Sequence, residues 1–107
     1  MIDIKDRNEV ANLIKDNKMS IIYFTGSTCG ACEAIKGKIE SILNEYPKIA
    51  CREVNGEKYI DLAAEYDVFS LPIMLLFIEG KEFLRLGRNV NLLELKEDIE
   101  RYYNMIF

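Results

Sequence analysis

The residues best suited to chemistry in this sequence are two cysteines, Cys29 and Cys32, separated by Gly30 and Ala31. Two thiols at this spacing can form an intrachain disulfide and exchange it with another disulfide, and thiolate sulfur is all that this reaction needs. The same pair could instead be half of a metal site, or two cysteines of a hydrophobic core. Because the chain contains no histidine, a Cys–His nucleophile pair and a Cys/His zinc site are both excluded.

The surrounding sequence places the pair at the start of a helix. Met19–Thr25 is apolar, β-branched and uncharged, which predicts a buried strand, and a helical pattern then runs from about Cys29 to Tyr46, where Pro47 ends it. Unpaired N–H groups at a helix N-terminus favour a thiolate, so we expect Cys29 to be the exposed nucleophile. Cys32, deeper in the helix, would resolve the mixed disulfide. This setting favours a redox pair over the metal and core interpretations.

Strands and helices alternate along the chain, which indicates an α/β fold around one central mixed sheet of four strands. The predicted order is α-β-α-β-α-β-β-α, with parallel strands where a helix connects them and a final antiparallel hairpin. Ser27 or Thr28 is expected to cap the second helix, and Gly37 to mark a bend or close packing within it. The predicted elements are helix 6–16, strand 19–25, helix 29–46, strand 49–54, helix 59–66, strands 73–78 and 81–86, and helix 92–106.

Composition narrows the classes of protein that the chain could be. Its 107 residues, half of them hydrophobic and 30% charged, suit a single domain over residues 1–107. A net charge of −4 with no basic patch argues against a nucleic-acid or membrane-surface partner. The longest apolar run, 73–78, is far shorter than the ~20 residues that span a bilayer. Three cysteines are an odd number for a disulfide framework and no signal-peptide pattern opens the sequence, so we expect a cytosolic protein. We also expect the chain to be a monomer.

Together these motifs resemble the thioredoxin family over essentially the whole chain. The strand–Cys29-Gly30-Ala31-Cys32–helix unit is similar to that family's active site, and residues 66–77 resemble its segment with a cis-proline. Glu79-Gly80-Lys81 matches its hairpin turn, and Gly87 matches a glycine that follows the last strand. The combination is far more diagnostic than the cysteine pair alone.

The resemblance implies that the Leu71–Pro72 bond is cis and that Pro72 faces the dithiol. The backbone of Leu71 would then pair with an extended substrate segment, and Gly30, Ala31, Leu71 and Pro72 would form the substrate-binding residues. The implied function is reduction of protein disulfides in the service of cell redox homeostasis, with no metal or organic cofactor. A flavoprotein thioredoxin reductase or a low-molecular-weight thiol would return electrons to the dithiol. A disulfide oxidase or isomerase, or a redox-inert binding module on the same fold, is the alternative.

Several positions depart from the family's pattern. Thr28 stands where a Trp usually precedes the first cysteine, Ala31 where Pro precedes the second, Ile73 where Thr follows the cis-proline, and Tyr23 where a buried acid is usual. In the family that acid is thought to help deprotonate the second cysteine, so Tyr23 leaves the resolving step without an evident proton acceptor. Glu33 either raises the pKa of Cys29 or points to solvent, where it is screened.

Other reactive or charged residues receive structural interpretations. Cys51 lies in the predicted strand 49–54 and is expected to pack as a small hydrophobe, with a regulatory thiol as the alternative. Arg85 and Arg88 flank Gly87 and, with few basic neighbours, are expected to be solvated. None of these residues is expected to take part in the exchange reaction.

Overall fold

The computed structural model describes residues 1–107 and contains one five-stranded mixed sheet with helices on both faces. The strands follow the spatial order β1-β3-β2-β4-β5. No helix has both the length and the apolar character that crossing a membrane requires. In chain order the elements are β1 (Ile2–Asp3), α1 (Arg7–Asp16), β2 (Met19–Thr25), α2 (Gly30–Leu43), β3 (Ala50–Asn55), α3 (Ile60–Glu65), β4 (Ile73–Ile78), β5 (Lys81–Leu86) and α4 (Leu92–Ile106).

Strand directions agree with the prediction, but the strand count does not. β1, β3 and β2 are parallel, and β4 and β5 run antiparallel to their neighbours. The sheet has five strands rather than the predicted four, because Ile2 and Asp3 pair with Arg52 and Glu53 of β3. A strand of two exposed residues is too short to show the alternation on which a strand prediction depends.

Helix α2, which carries the cysteine pair, differs in detail from its prediction. Its N-cap is Cys29, rather than Ser27 or Thr28. It ends at Leu43 and not at Tyr46, because the chain tightens into turns in which Tyr46 N–H donates to the Leu43 carbonyl at 2.9 Å. The expectation of close packing at Gly37 is wrong, since a Cβ there would meet no atom within 4 Å.

The two faces of the sheet carry separate hydrophobic clusters. Alternation along β2 sends Ile22 and Phe24 to the face covered by α1 and α3, and Ile21 and Tyr23 to the face covered by α2 and α4. We call these the α1/α3 face and the α2/α4 face. Because β2 is central and all seven of its residues are buried, it fixes the position of the helix that follows it.

The β4–β5 hairpin closes one edge of the sheet. Glu79 and Gly80 both adopt left-handed conformations, with φ of 49° and 84°, which is the geometry of a type I′ turn. A register shift between Leu76 and Phe77 makes a bulge in the ladder. β5 pairs only with β4 and is an edge strand of the sheet, as β1 is at the other side, and its exposed residues include Lys81.

Candidate functional site

The cysteine pair lies where β2 ends and α2 begins. Cys29 and Cys32 form a disulfide with their Cα atoms 5.3 Å apart. Cys29 is half-buried, whereas Cys32 is only 2% exposed, so the first cysteine is the more accessible of the two, which agrees with the prediction. The Cys32 N–H donates to the Cys29 sulfur at 3.2 Å. In the reduced protein this N–H and the helix dipole would both stabilise a thiolate on Cys29.

The Leu71–Pro72 bond is cis, as the resemblance implied. Phe24 of β2 pairs with Ile73 of β4, so Pro72 lies beside the end of β2 that leads to the dithiol. The N–H of Leu71 takes part in none of the backbone hydrogen bonds of the chain. A free donor at this edge is what an extended substrate segment would need.

The arginines that flank Gly87 are not simply solvated, which corrects the expectation from sequence. Arg88 Nη2 donates to the Leu71 carbonyl at 3.0 Å. Arg85 donates to the carbonyls of Tyr66 and Asp67, at 2.6 and 3.0 Å. Both side chains therefore brace the segment that precedes Pro72, a role that requires long-range contacts and has no local sequence signal.

The loop that precedes Cys29 is tied to the turn after β3. Thr28 donates to the Glu57 carboxylate through its hydroxyl at 2.9 Å and its N–H at 3.4 Å. Asn55 Nδ2 donates to the Ser27 hydroxyl at 3.1 Å. Thr28, which stands where the family usually has Trp, thus anchors the approach to the dithiol through hydrogen bonds.

Tyr23 lies beneath the first turn of α2 and is 1% exposed. Its hydroxyl donates to the Cys32 carbonyl at 2.8 Å. Burial, helped by the charges of Glu53 and Glu33, raises the pKa of the Tyr23 phenol to about 12. Tyr23 is therefore a neutral hydrogen-bond donor at physiological pH, and it does not replace a carboxylate as a proton acceptor.

A buried carboxylate does lie next to Tyr23, on the neighbouring strand. Glu53 of β3 is 8% exposed, accepts a hydrogen bond from Thr25 Oγ1 at 3.0 Å, and forms an ion pair with Lys36 Nζ at 3.4 Å. Lys36 also pairs with Glu33, whose side chain is 74% exposed, so Glu33 points to solvent. Sequence reasoning missed Glu53, because only the pairing of Tyr23 with Glu53 across two strands brings it under α2.

Cys51 is half-buried and packs against the cluster of the α2/α4 face, as a small hydrophobe would. Burial raises the pKa of its thiol to about 12, which disfavours the reactive thiolate. No group of three or more His, Cys, Asp or Glu side chains is arranged to hold a metal ion.

Two large apolar side chains lie exposed beside the Leu71 segment. Phe69 is 81% exposed and Ile60 is 67% exposed. With Val68 and Leu71 they line a shallow cleft of about 260 Å³. Sequence reasoning did not single out Phe69, although its position three residues before Pro72 was a usable signal.

Comparisons with known proteins agree with this geometry. The family model described as thioredoxin matches residues 2–101. The chain is 33% identical over 96 residues to the thioredoxin-like protein YdfQ of Bacillus subtilis, covering 90% of this chain and 86% of that protein. It is 31% identical over 80 residues to the thioredoxin of Mycoplasma pneumoniae, covering 75% and 78%.

Solved structures show the same architecture. The X-ray structure of Fasciola hepatica thioredoxin is similar at a TM-score of 0.81 and 28% identity, covering 94% of this chain and 98% of that one. A mutant thioredoxin from Halobacterium salinarum NRC-1 is similar in fold, with a TM-score of 0.84 at 24% identity, covering 95% and 89%.

Proposed function

The chain belongs to the thioredoxin family, and from that premise we propose that it reduces protein disulfides through Cys29 and Cys32. Family membership and the cysteine pair together support thiol–disulfide oxidoreductase activity. The finer proposal is a cytoplasmic monomer, made of one domain over residues 1–107, that contributes to cell redox homeostasis. A flavoprotein thioredoxin reductase or a low-molecular-weight thiol would restore its dithiol.

The observation that carries the proposal is the unequal placement of the two sulfurs at the N-terminus of α2. Cys29 is accessible and receives the Cys32 N–H, so it is suited to attack a client disulfide as a thiolate. This attack joins Cys29 to one client sulfur and releases the other as a thiol. Cys32 then attacks the Cys29 sulfur, which restores the intrachain disulfide and releases the second client thiol.

We propose that the client's backbone lies along Leu71 and Pro72, next to Gly30 and Ala31. The Leu71 N–H is free to donate to an extended client segment, and the Arg88 contact holds the Leu71 carbonyl in place. The cleft beside Phe69 offers an apolar surface for a side chain that flanks the client's cysteine. The cycle uses sulfur chemistry alone, so the proposal includes no metal or organic cofactor.

The decisive experiment measures reduction of insulin disulfides by the protein in the presence of dithiothreitol. We expect turnover from the wild type, none above background from Cys29→Ser, and a trapped mixed disulfide from Cys32→Ser. Cys51→Ser is the matched control, because its sulfur packs against the core cluster, and it should retain activity. An inactive wild type with an irreducible Cys29–Cys32 pair would contradict the proposal and favour a binding module.

The direction of electron flow is tested by equilibrating the dithiol in thiol–disulfide buffers. A reductase is expected to have a reduction potential of about −270 mV, whereas an oxidase would have a potential of about −120 mV. A measured value at the oxidising end would overturn the proposed direction while leaving the exchange chemistry intact.

A further inference from the structure

The buried carboxylate of Glu53 takes no part in the two sulfur attacks of the proposed cycle. Placing a charged carboxylate inside a protein costs free energy unless partners compensate for the lost water. Here the partners are specific, because Thr25 Oγ1 bonds one oxygen at 3.0 Å and Lys36 Nζ pairs with the other at 3.4 Å. This arrangement keeps a negative charge beneath the first turns of α2.

The position of Glu53 relative to Cys32 follows from sheet and helix geometry. Tyr23 and Glu53 are register partners on adjacent parallel strands, so their side chains project from the same face. The Tyr23 hydroxyl on that face reaches the Cys32 carbonyl at 2.8 Å. Lys36 lies one turn beyond Cys32 on the same side of α2 and reaches Glu53. Glu53 is therefore placed near the first turns of α2 through two neighbours, Tyr23 on the adjacent strand and Lys36 on the helix.

The resolving step needs a proton acceptor at this depth. Cys32 is 2% exposed, so its thiol has little direct access to bulk solvent. Tyr23 is neutral at physiological pH because burial raises its pKa to about 12. Glu33 points to solvent, and Glu57 is engaged with Thr28 on the loop before Cys29. Glu53 is the buried carboxylate, and it is next to Tyr23, whose hydroxyl contacts Cys32.

We propose that Glu53 accepts the proton of Cys32 as that sulfur attacks the mixed disulfide on Cys29. The inference rests on the proposed function. The Cys32 S–H bond breaks and its proton passes through water to the Glu53 carboxylate, while the new S–S bond to Cys29 forms. The bond between Cys29 and the client breaks, and the client sulfur leaves with the electron pair as a thiolate. Glu53 then returns its proton to solvent.

A polar cleft of about 570 Å³ is lined in part by Thr25, Lys36 and Glu53. Through this cleft the Glu53 carboxylate can exchange protons with water. Burial acts to lower the pKa of Lys36, but hydrogen bonds to Glu33 and Glu53 and their charges outweigh it, so that this pKa is raised and the lysine stays cationic. The other charged residues that line the cleft are Asp3, Lys5, Glu9, Glu33 and Lys58.

Stopped-flow reaction of the reduced protein with 5,5′-dithiobis(2-nitrobenzoate) separates the two sulfurs. Release of the first thionitrobenzoate reports attack by Cys29 and depends on reagent concentration. Release of the second reports attack by Cys32 and does not. We expect Glu53→Gln to slow the second phase at pH 7 by about tenfold or more, and to change the first by less than about threefold.

The pH profile distinguishes proton transfer from a structural role. In the wild type the rate of the second phase should change little with pH around neutrality, because the carboxylate accepts the proton as Cys32 attacks. In Glu53→Gln it should rise about tenfold per pH unit across that range, because the thiolate must then form through solvent. Glu53→Asp, which keeps a carboxylate, should restore part of the rate and the plateau. An unchanged rate and profile in Glu53→Gln would overturn the inference.

The matched control is Glu33→Gln, which removes an exposed carboxylate bonded to the same lysine. It should leave the second phase within about twofold of the wild type. If Glu53→Gln fails to fold, Lys36→Met retains the carboxylate without its cation, and the midpoint of the pH profile should then move upward. An unmoved midpoint would contradict the inference. If wild-type Cys29 releases no thionitrobenzoate at all, the proposed function itself fails.

Discussion

The two faces of the central sheet bury very different kinds of side chain. The eleven buried residues of the cluster on the α1/α3 face are all aliphatic or phenylalanine. The α2/α4 face buries Tyr23, Glu53 and the Cys32 sulfur, and Cys51 is packed at its margin. These buried ionisable side chains thus lie on the face that is covered by α2, the helix that carries the cysteine pair. The hydrophobic cluster on the opposite face is purely apolar.

Because of this difference, one face can contribute mainly to stability and the other to the chemistry of the cysteine pair. An apolar face gains stability from burial and close packing and is insensitive to pH. A face with buried hydrogen-bonded and charged groups gains less, but it can control the protonation of a neighbouring sulfur. We therefore expect changes on the α1/α3 face to alter stability, and changes on the α2/α4 face to alter chemistry and pH dependence.

The largest effect on stability should come from Leu75→Ala on the α1/α3 face. Leu75 is fully buried, so its truncation should reduce the free energy of unfolding by about 2–5 kcal/mol through lost burial and a residual cavity. Urea denaturation measures this, and the rate of disulfide exchange per folded molecule should stay unchanged. An equal loss of exchange rate in fully folded protein would show that the two faces are not independent.

Alkaline pH should weaken the α2/α4 face in particular. Burial raises the pKa of Cys51 from 9.0 and that of Tyr23 from 10.0, each to about 12, so the fold holds both groups protonated. Their contribution is complete below about pH 9 and is lost as the pH rises toward about 12, because the unfolded chain releases these protons first. The free energy of unfolding, followed by urea titration across this range, should decline more steeply in the wild type than in a Tyr23→Phe, Cys51→Ala variant.

The burial of Cys51 can also be tested through the reactivity of its thiol. At pH 8 its thiolate fraction should be about 10³-fold lower than that of an ordinary thiol with a pKa of 9.0. Iodoacetamide should therefore alkylate Cys29 of the reduced protein long before Cys51, as mass spectrometry of the peptides would show. Comparable rates at the two sulfurs would contradict the buried position of Cys51.

Ser20→Ala should stabilise the protein, whereas Leu75→Ala on the same face should destabilise it. Ser20 alternates with Met19 and Ile21 of the α2/α4 cluster, so it projects toward the α1/α3 face as an exception to that face's apolar character. It is fully buried and its hydroxyl has no hydrogen-bond partner. Removing an unsatisfied hydroxyl should raise the free energy of unfolding by about 1 kcal/mol. Thermal denaturation measures the change, and a loss of stability would mean that the hydroxyl has a partner after all.

The smallest effect should come from Gly37→Ala on the exposed side of α2. A Cβ at this position meets no atom within 4 Å, so alanine should stabilise the helix by about 0.5–1 kcal/mol through its higher helix propensity. Melting temperature should rise while both phases of thionitrobenzoate release remain unchanged. A change in the second phase would mean that helix stability, rather than the inward face of α2, governs Cys32.

Local patterns were sufficient for much of the fold, including the bounds of β2, β4 and β5 and the position of the cysteine pair. These elements have long apolar runs or a distinctive spacing. β1 could not be found, because two exposed residues become a strand only when β3 is beside them. The cis conformation of the Leu71–Pro72 bond was expected from the family resemblance, because the local preference of an X–Pro bond is trans.

The interior of the candidate site was harder to predict for a physical reason. Glu53 follows Arg52 in the sequence and has the appearance of a solvent-exposed charge. Its burial depends on Thr25 and Lys36, which come from two other elements. The Arg88 contact with Leu71 likewise joins residues 17 positions apart. Polar contacts of this kind become visible only when the chain has folded.

The edge strand β5 has a consequence for the client segments that the proposed reductase could capture. A β-sheet edge offers a ladder of unpaired backbone groups to any extended peptide, and such an edge invites uncontrolled pairing between chains. Here the bulge between β4 and β5 distorts the ladder, and the charges of Lys81, Glu82 and Arg85 oppose an incoming strand. Under the proposed function, an extended client would thus be turned away from this edge and would pair with the short backbone segment at Leu71. The bulge and the charges would limit aggregation at this edge of the sheet, while the proposed backbone pairing with a client would remain possible beside the two sulfurs.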